Sequence, residues 1–169
     1  MMPLVAKGKR VVCLGLANLL KGTHFFGAKR MLLRSAGIQV GSGTRVVGPV
    51  RIGTAASLSI GANTWIGHDL HIEGNGLVHI GDNVDVAPNC TFATGGHAIG
   101  SSDRRAGEGA SYSQTVHDGC WIGIGSLFVN EVDVGKGCVI SAGSVVAASV
   151  ADGVLAGGVP AKTIRTLED

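Results

Sequence analysis

From Val116 to Val150 a large apolar residue returns at every sixth position: Val116, Ile122, Phe128, Val134, Ile140 and Val146. Four places after each stands something small or aliphatic: Cys120, Ser126, Val132, Cys138, Ser144 and Val150. A helix repeats about every 3.6 residues and a strand about every 2, so neither sustains a strict recurrence of six. A chain that makes a short strand, turns and repeats does sustain it, closing a three-sided coil after about 18 residues. Each aliphatic then stacks on its counterpart one coil away, at the inter-strand spacing of ~4.8 Å. Gly123 and Gly135 directly follow inward aliphatics, where a side chain would obstruct the corner. The pattern predicts an all-β fold, a parallel β-helix wound from hexapeptide repeats.

The same spacing runs upstream, with two slips. Val40, Val46 and Ile52 open the series, and Thr44, Val50 and Ala56 take the small slot. Ile52 to Ile60 is eight residues, as is Ile72 to Ile80, so both slips fall at coil ends and predict bulges on one shared corner. Ile60, Ile66 and Ile72 build the second coil; Ile80, Val86 and Phe92 build the third. After His97 the count fails, since it would turn Arg104, Glu108, Ala110 and Gln114 inward, which a dry core rejects. Residues 98–115 are therefore read as a protruding loop, with the repeats resuming in phase at Val116. The predicted organisation is N-terminal helices over 1–37, about five coils over 38–151 and a closing tail over 152–169.

Pro3–Leu20 reads as one helix and His24–Ala36 as a second, separated at Lys21-Gly22 and stopped by Gly37. Phe25, Leu32 and Ala36 share a face of the second helix, with Phe26 and Leu33 beside it. Two roles suit such helices: capping the open end of the β-helix and its edge strands, or a basic amphipathic contact with an anionic membrane surface.

Charge sharpens that choice. Residues 1–68 hold nine Lys or Arg and no acid, whereas residues 69–169 hold five against twelve acids. The formal net charge of +2 hides this asymmetry, which suggests an anionic partner for the first segment. No nucleic-acid partner is expected. The longest early apolar run, Val11–Leu20, is half the ~20 residues needed to span a bilayer, and no signal-cleavage site follows it. A cytoplasmic protein is expected; of the two roles open to residues 1–37, the membrane one would place it peripherally at the inner face of the cell membrane. Cys90, Cys120 and Cys138 occupy the small inward slot and read as packed thiols rather than a disulfide framework.

His97, in TGGHAIG at the root of the long loop, is the candidate general base, histidine being the usual neutral-pH proton acceptor. By position alone a surface histidine is the plainer reading. The segments IGDNVDVAPNCTFATGGH, DGCWIGIGSLFVNEVDVGKGCVISAGSVV and AGGVPAKTIR resemble the hexapeptide-repeat acyltransferases, in their sugar O-acetyltransferase branch. The resemblance covers residues 40–165. It implies a left-handed β-helix, against the general right-handed crossover rule, a homotrimer with sites between neighbouring prisms, and acetyl-CoA as donor with no metal. By the same resemblance His97 is the catalytic base. Gly123, Ile124, Ala142, Ala147, Ala148, Lys162 and Arg165 match the coenzyme contacts, and Asp69 and Trp121 the acceptor side. Relatives often carry Thr-Lys at Ala147-Ala148, and an acceptor-placing asparagine aligns near Gly67, beside His68 and Asp69.

The N-terminal stretch FGAKRMLLRSAGIQVGSGTRV is similar to the polysaccharide-modifying members, so the expected acceptor is a hydroxyl on a surface-polysaccharide sugar or its lipid-linked precursor. An amino-sugar N-acetyltransferase needs the same base and donor. A γ-carbonic-anhydrase-like zinc protein shares the fold, and His68, His71, His79, His97 and His117 supply candidate ligands, but the His-x4-His spacing is absent. A non-catalytic trimeric scaffold is the remaining alternative.

Overall fold

The computed structural model describes residues 4–168. Pro3, expected to open the first helix, and Asp169, expected to end the tail, lie outside the described residues, as do Met1 and Met2. Two helices, α1 (Leu4–Leu19) and α2 (Phe26–Ser35), precede a column of short strands. The first coil is β1 (Gln39–Val40), β2 (Arg45–Val46) and β3 (Val50–Ile52); the second is β4 (Ser57–Ile60), β5 (Trp65–Ile66) and β6 (Leu70–Glu73). The third is β7 (Leu77–Ile80), β8 (Asp85–Val86) and β9 (Thr91–Ala93). A hairpin, β10 (Gly95–Ile99) and β11 (Ala106–Ser111), then leaves the column. The chain returns as β12 (Ser113–Val116), β13 (Trp121–Ile122) and β14 (Leu127–Val129), then β15 (Val132–Val134), β16 (Val139–Ile140) and β17 (Val145–Val146). Last come β18 (Val154–Gly158) and β19 (Ala161–Thr166).

Parallel pairing sorts these strands into three faces. Face A runs β1-β4-β7-β12-β15, face B β2-β5-β8-β13-β16-β18-β19 and face C β3-β6-β9-β14-β17. The register stacks the predicted inward aliphatics: Val40, Ile60, Ile80, Val116 and Val134 on face A, and Val46, Ile66, Val86, Ile122 and Ile140 on face B. On face C, Phe92 and Phe128 lie in parallel planes with centroids 4.4 Å apart, both without solvent exposure. The small slots sit at edges where a turn leaves a carbonyl facing inward. Thr64 Oγ1 donates to Gly81 O at 2.8 Å, and Cys120 and Cys138 donate to Gly135 O at 3.0 Å and Ala151 O at 2.9 Å. All four cysteines are free thiols, and burial pushes the Cys120 thiol up to about 11.

Three details depart from the sequence reading. Gln114 points inward, stacked between Val78 and Val132 and buried. Its Nε2 donates to the carbonyls of Ala93 and Asn130 at 3.1 and 2.8 Å, so backbone at the loop's corner satisfies the amide nitrogen, while the buried Oε1 has no partner among the described residues. Phe25 is exposed rather than packed with α2, because it precedes the first helical residue in a left-handed conformation with φ 56°. The tail is not closing coil alone: β18 extends face B as the start of a sixth turn, and β19 pairs back on it antiparallel.

The helices cap the column, and the basic residues explain how. In each later coil, carbonyls such as those of Ile60, Thr64 and Gly76 accept N–H groups from the coil before. The first coil has no such neighbour. Instead Arg34 Nε donates to Val40 O, Arg30 to Thr44 O and Arg10 to Ala56 O, each at 2.8 Å, and Asn18 donates to Val50 O at 3.0 Å. Hydrogen bonds from charged donors contribute about 1.5–3 kcal/mol each. Lys29, buried, reaches the carbonyls of Gly22 and Val47 and lies 4.8 Å from the Phe26 ring centroid. Much of the unopposed positive charge is therefore structural. Among the described residues no helix is long and apolar enough to cross a membrane.

Candidate functional site

Both eight-residue slips and the hairpin fall on the edge between faces C and A, so this edge carries the chain's irregularities. His97 sits on β10, across from Gly109 of β11, with a register shift just beyond it. Its Nδ1 lies 2.9 Å from the carbonyl oxygen of Gly107. A carbonyl can only accept, so a neutral His97 carries its proton on Nδ1 and keeps the Nε2 lone pair for other use. The side chain is exposed and lines a cleft of about 500 Å³ with Gly74, Asn75, Gly95, Gly96 and Ser111. Gly96 lets the ring of Tyr112 approach closely: a Cβ there would stand 2.8 Å from it and would displace the ring.

A second groove, of about 420 Å³, lies on face B and the B–C edge. Gly123, Ile124, Ala142 and Trp121, all singled out from the sequence, line it together. Its floor is one outward column of face B, Trp121, Val139 and Leu155, and Arg165 continues that column through its pairing with Leu155. Lys162 is nearby on β19, opposite Gly157. The N–H groups of Ile124 and Ala142 make no hydrogen bond among the described residues. Val139 and Leu155 escaped the sequence reading, although each directly precedes an inward residue, which marks an outward apolar position.

Ala147 and Ala148 do not join this groove. They follow β17 on the C–A edge, directly after Val146, which pairs with Phe128 and through it stacks over Phe92 of β9. The predicted site residues thus divide between two edges of one chain: His97, Ala147 and Ala148 on C–A, and Gly123, Ile124, Ala142 and Trp121 on B–C.

Asp69 lies on the B–C edge of the second coil, one coil below Ala87 and two below Trp121 of the groove, in a cleft of about 510 Å³ lined also by Lys21, Pro49, Arg51 and His68. His68 Nδ1 donates to Asp69 Oδ2 at 3.1 Å, and Arg51 Nη2 is 3.6 Å from Oδ1. The hydrogen bond from His68, with Arg51 close by, holds the Asp69 carboxyl below the usual carboxylate range. His79 does not reach His97; it pairs with Ser59 at 2.8 Å in a separate recess on face A. His117 is paired with Asp133 at 2.8 Å. Among the described residues no group of three or more His, Cys, Asp or Glu side chains is placed to hold a metal ion.

No protein-family model matches the chain. Over 141 residues it is 33% identical to the galactoside O-acetyltransferase of Escherichia coli K12, an alignment covering 83% of this chain and 70% of that protein. The chain belongs to the hexapeptide-repeat sugar O-acetyltransferase family. A hexapeptide-repeat acetyltransferase of Vibrio cholerae, solved in complex with acetyl coenzyme A, shares the fold at a TM-score of 0.80 and 25% identity, over 98% of this chain and 88% of that one. A galactoside acetyltransferase solved with coenzyme A gives a TM-score of 0.74 at 27% identity, over 99% and 85%. The solenoid of this acetyltransferase is accordingly the left-handed β-helix, and the chain is an acyltransferase rather than a zinc hydratase or a scaffold.

Proposed function

We propose that the chain transfers the acetyl group of acetyl-CoA directly to a hydroxyl of a sugar in a surface polysaccharide or its lipid-linked precursor. The observation that carries this reading is the Nδ1 contact of His97 with the Gly107 carbonyl, which leaves Nε2 as the base. Nε2 takes the proton of the acceptor hydroxyl as its oxygen attacks the thioester carbon. The tetrahedral oxyanion accepts hydrogen bonds from backbone N–H groups, for which those of Ile124 and Ala142 are free. Collapse expels the coenzyme thiolate, which recovers the proton from Nε2. The apolar floor of Trp121, Val139 and Leu155 suits the pantetheine arm, and Arg165 and Lys162 suit the coenzyme phosphates.

The split of these groups between two edges supports a homotrimer in which the C–A edge of one copy meets the B–C edge of the next. Ala147 and Ala148 then face the coenzyme from the neighbour's side. Cytoplasmic acetyl-CoA places the reaction inside the cell, at the inner face of the membrane if the acceptor is lipid-linked.

The direct test is to incubate the protein with acetyl-CoA and a panel of sugars, amino sugars and sugar nucleotides, following thiol release. Release is expected to depend on a sugar hydroxyl and to yield one alkali-labile ester per thiol. Ala142→Trp, which fills the groove, is expected to raise KM for acetyl-CoA by about tenfold or more. Release driven only by amino sugars, with alkali-stable product, would contradict O-transfer.

A further inference from the structure

Helix α1 has two apolar faces. One, with Leu14 and Ala17, is buried, with α1 packed chiefly against α2; the other carries Val5, Val12, Leu16 and Leu19, which are 86, 61, 47 and 79% exposed. These four recur at spacings of seven, four and three, a single stripe along the helix. Lys9, exposed, lies on the same side, four residues after Val5 and three before Val12. Asn18 fixes the helix end by bonding both the N–H and the carbonyl of Val50, at 2.9 and 3.0 Å. That tether sets the end of the stripe beside the cleft holding Lys21, Arg51, His68 and Asp69. Four of the nine cations in residues 1–68 end on backbone carbonyls at the cap or first coil. Lys21 and Arg51 do not, and both converge on this cleft. Lys21 makes no ion pair among the described residues, and Arg51 is held only by Asp69. The cleft is on the B–C edge, in line with the groove of Trp121, Ile124 and Ala142.

We infer that the acceptor sugar is carried on a lipid through a phosphate, with the phosphate received by Lys21 and Arg51 and the lipid surface met by the Val5–Val12–Leu16–Leu19 stripe. This deepens the acetyltransferase reading and rests on it. Asp69, fixed by His68 and Arg51, accepts hydrogen bonds from sugar hydroxyls and so positions the ring rather than the phosphate. An apolar stripe ending at Lys21 and Arg51 complements a lipid with a single anionic head, Asp69 being the one acid that lines the cleft with them.

The test is co-sedimentation of the full chain with vesicles of phosphatidylcholine alone, with a few mole per cent polyprenyl phosphate, or with phosphatidylglycerol at equal surface charge. Polyprenyl phosphate is expected to strengthen binding about tenfold over phosphatidylcholine and clearly beyond phosphatidylglycerol. Lys21→Gln/Arg51→Gln is expected to remove that gain, and Val12→Ser/Leu19→Ser to remove vesicle binding altogether, both retaining coenzyme A binding as a check on folding. Equal binding to both anionic vesicles would leave only a generic anionic surface and overturn the phosphate site. No vesicle binding by a protein that binds coenzyme A would overturn the whole inference, as would dissociation of the oligomer in the stripe variant, which would make the stripe an interface between copies. Loss of coenzyme binding by the unmodified chain would instead be a failure of the acetyltransferase reading.

Discussion

His97→Ala is expected to lower kcat/KM by about 10²–10⁴-fold, the usual contribution of a positioned general base. The loss should fall on kcat, with KM for acetyl-CoA little changed, because His97 lies on the C–A edge and the groove residues on B–C. Steady-state kinetics with acetyl-CoA varied separates the two. His97 touches the hairpin through one hydrogen bond to Gly107 and is exposed, so its removal should leave thermal stability within about 0.5 kcal/mol. A variant that kept most of its kcat would remove the base from the mechanism. A variant that lost activity together with its fold would show a structural histidine instead.

The largest expected effect on stability is at Phe92. Its ring is stacked 4.4 Å from that of Phe128, with an interplanar angle of 5° and no exposure of either. Truncating a buried aromatic typically costs about 3–5 kcal/mol through lost transfer energy and the cavity left behind. Native stabilities are themselves only about 5–15 kcal/mol. Phe92→Ala is therefore expected to lower Tm by about 6–20 °C, at the roughly 2–4 °C per kcal/mol usual for this length. Differential scanning calorimetry at fixed protein concentration measures it, with Phe25→Ala, at an exposed ring, as the control. Comparable losses from the two would mean that the stacked column is not the main source of stability.

The β-helix was legible because each inward residue answers to one geometric condition, a period of six that stacks Ile80 on Val116 and Ile122 on Ile140. Local rules failed where partners are distant in the chain. Gln114 looks intolerable inside until the carbonyls of Ala93 and Asn130 are placed beside it, and no spacing rule brings those together. The positive charge of residues 1–68 suggested a partner molecule, whereas Arg10, Arg30 and Arg34 first satisfy carbonyls left open by the absence of a preceding coil. At the candidate site, the loop and its histidine could be read from the break in the repeat. That the loop is a hairpin fixing the His97 tautomer could not, since the Gly107 carbonyl is set by pairing within it. Nor does the chain order announce that Ala147 falls on the edge of His97 while Ala142 falls on the other.

In the proposed trimer, one reaction site is assembled from the His97 edge of one copy and the groove edge of another. The measurement that tests it is activity, at acetyl-CoA well below KM, in mixed oligomers of two impaired variants, His97→Ala and Ala142→Trp, unfolded and refolded together in equal amounts. A shared site in a closed ring predicts that about a quarter of the interfaces regain both intact edges, and with them about a quarter of the activity. Mixed oligomers that form but stay as impaired as either parent would place base and donor groove within single copies, and the account would be wrong.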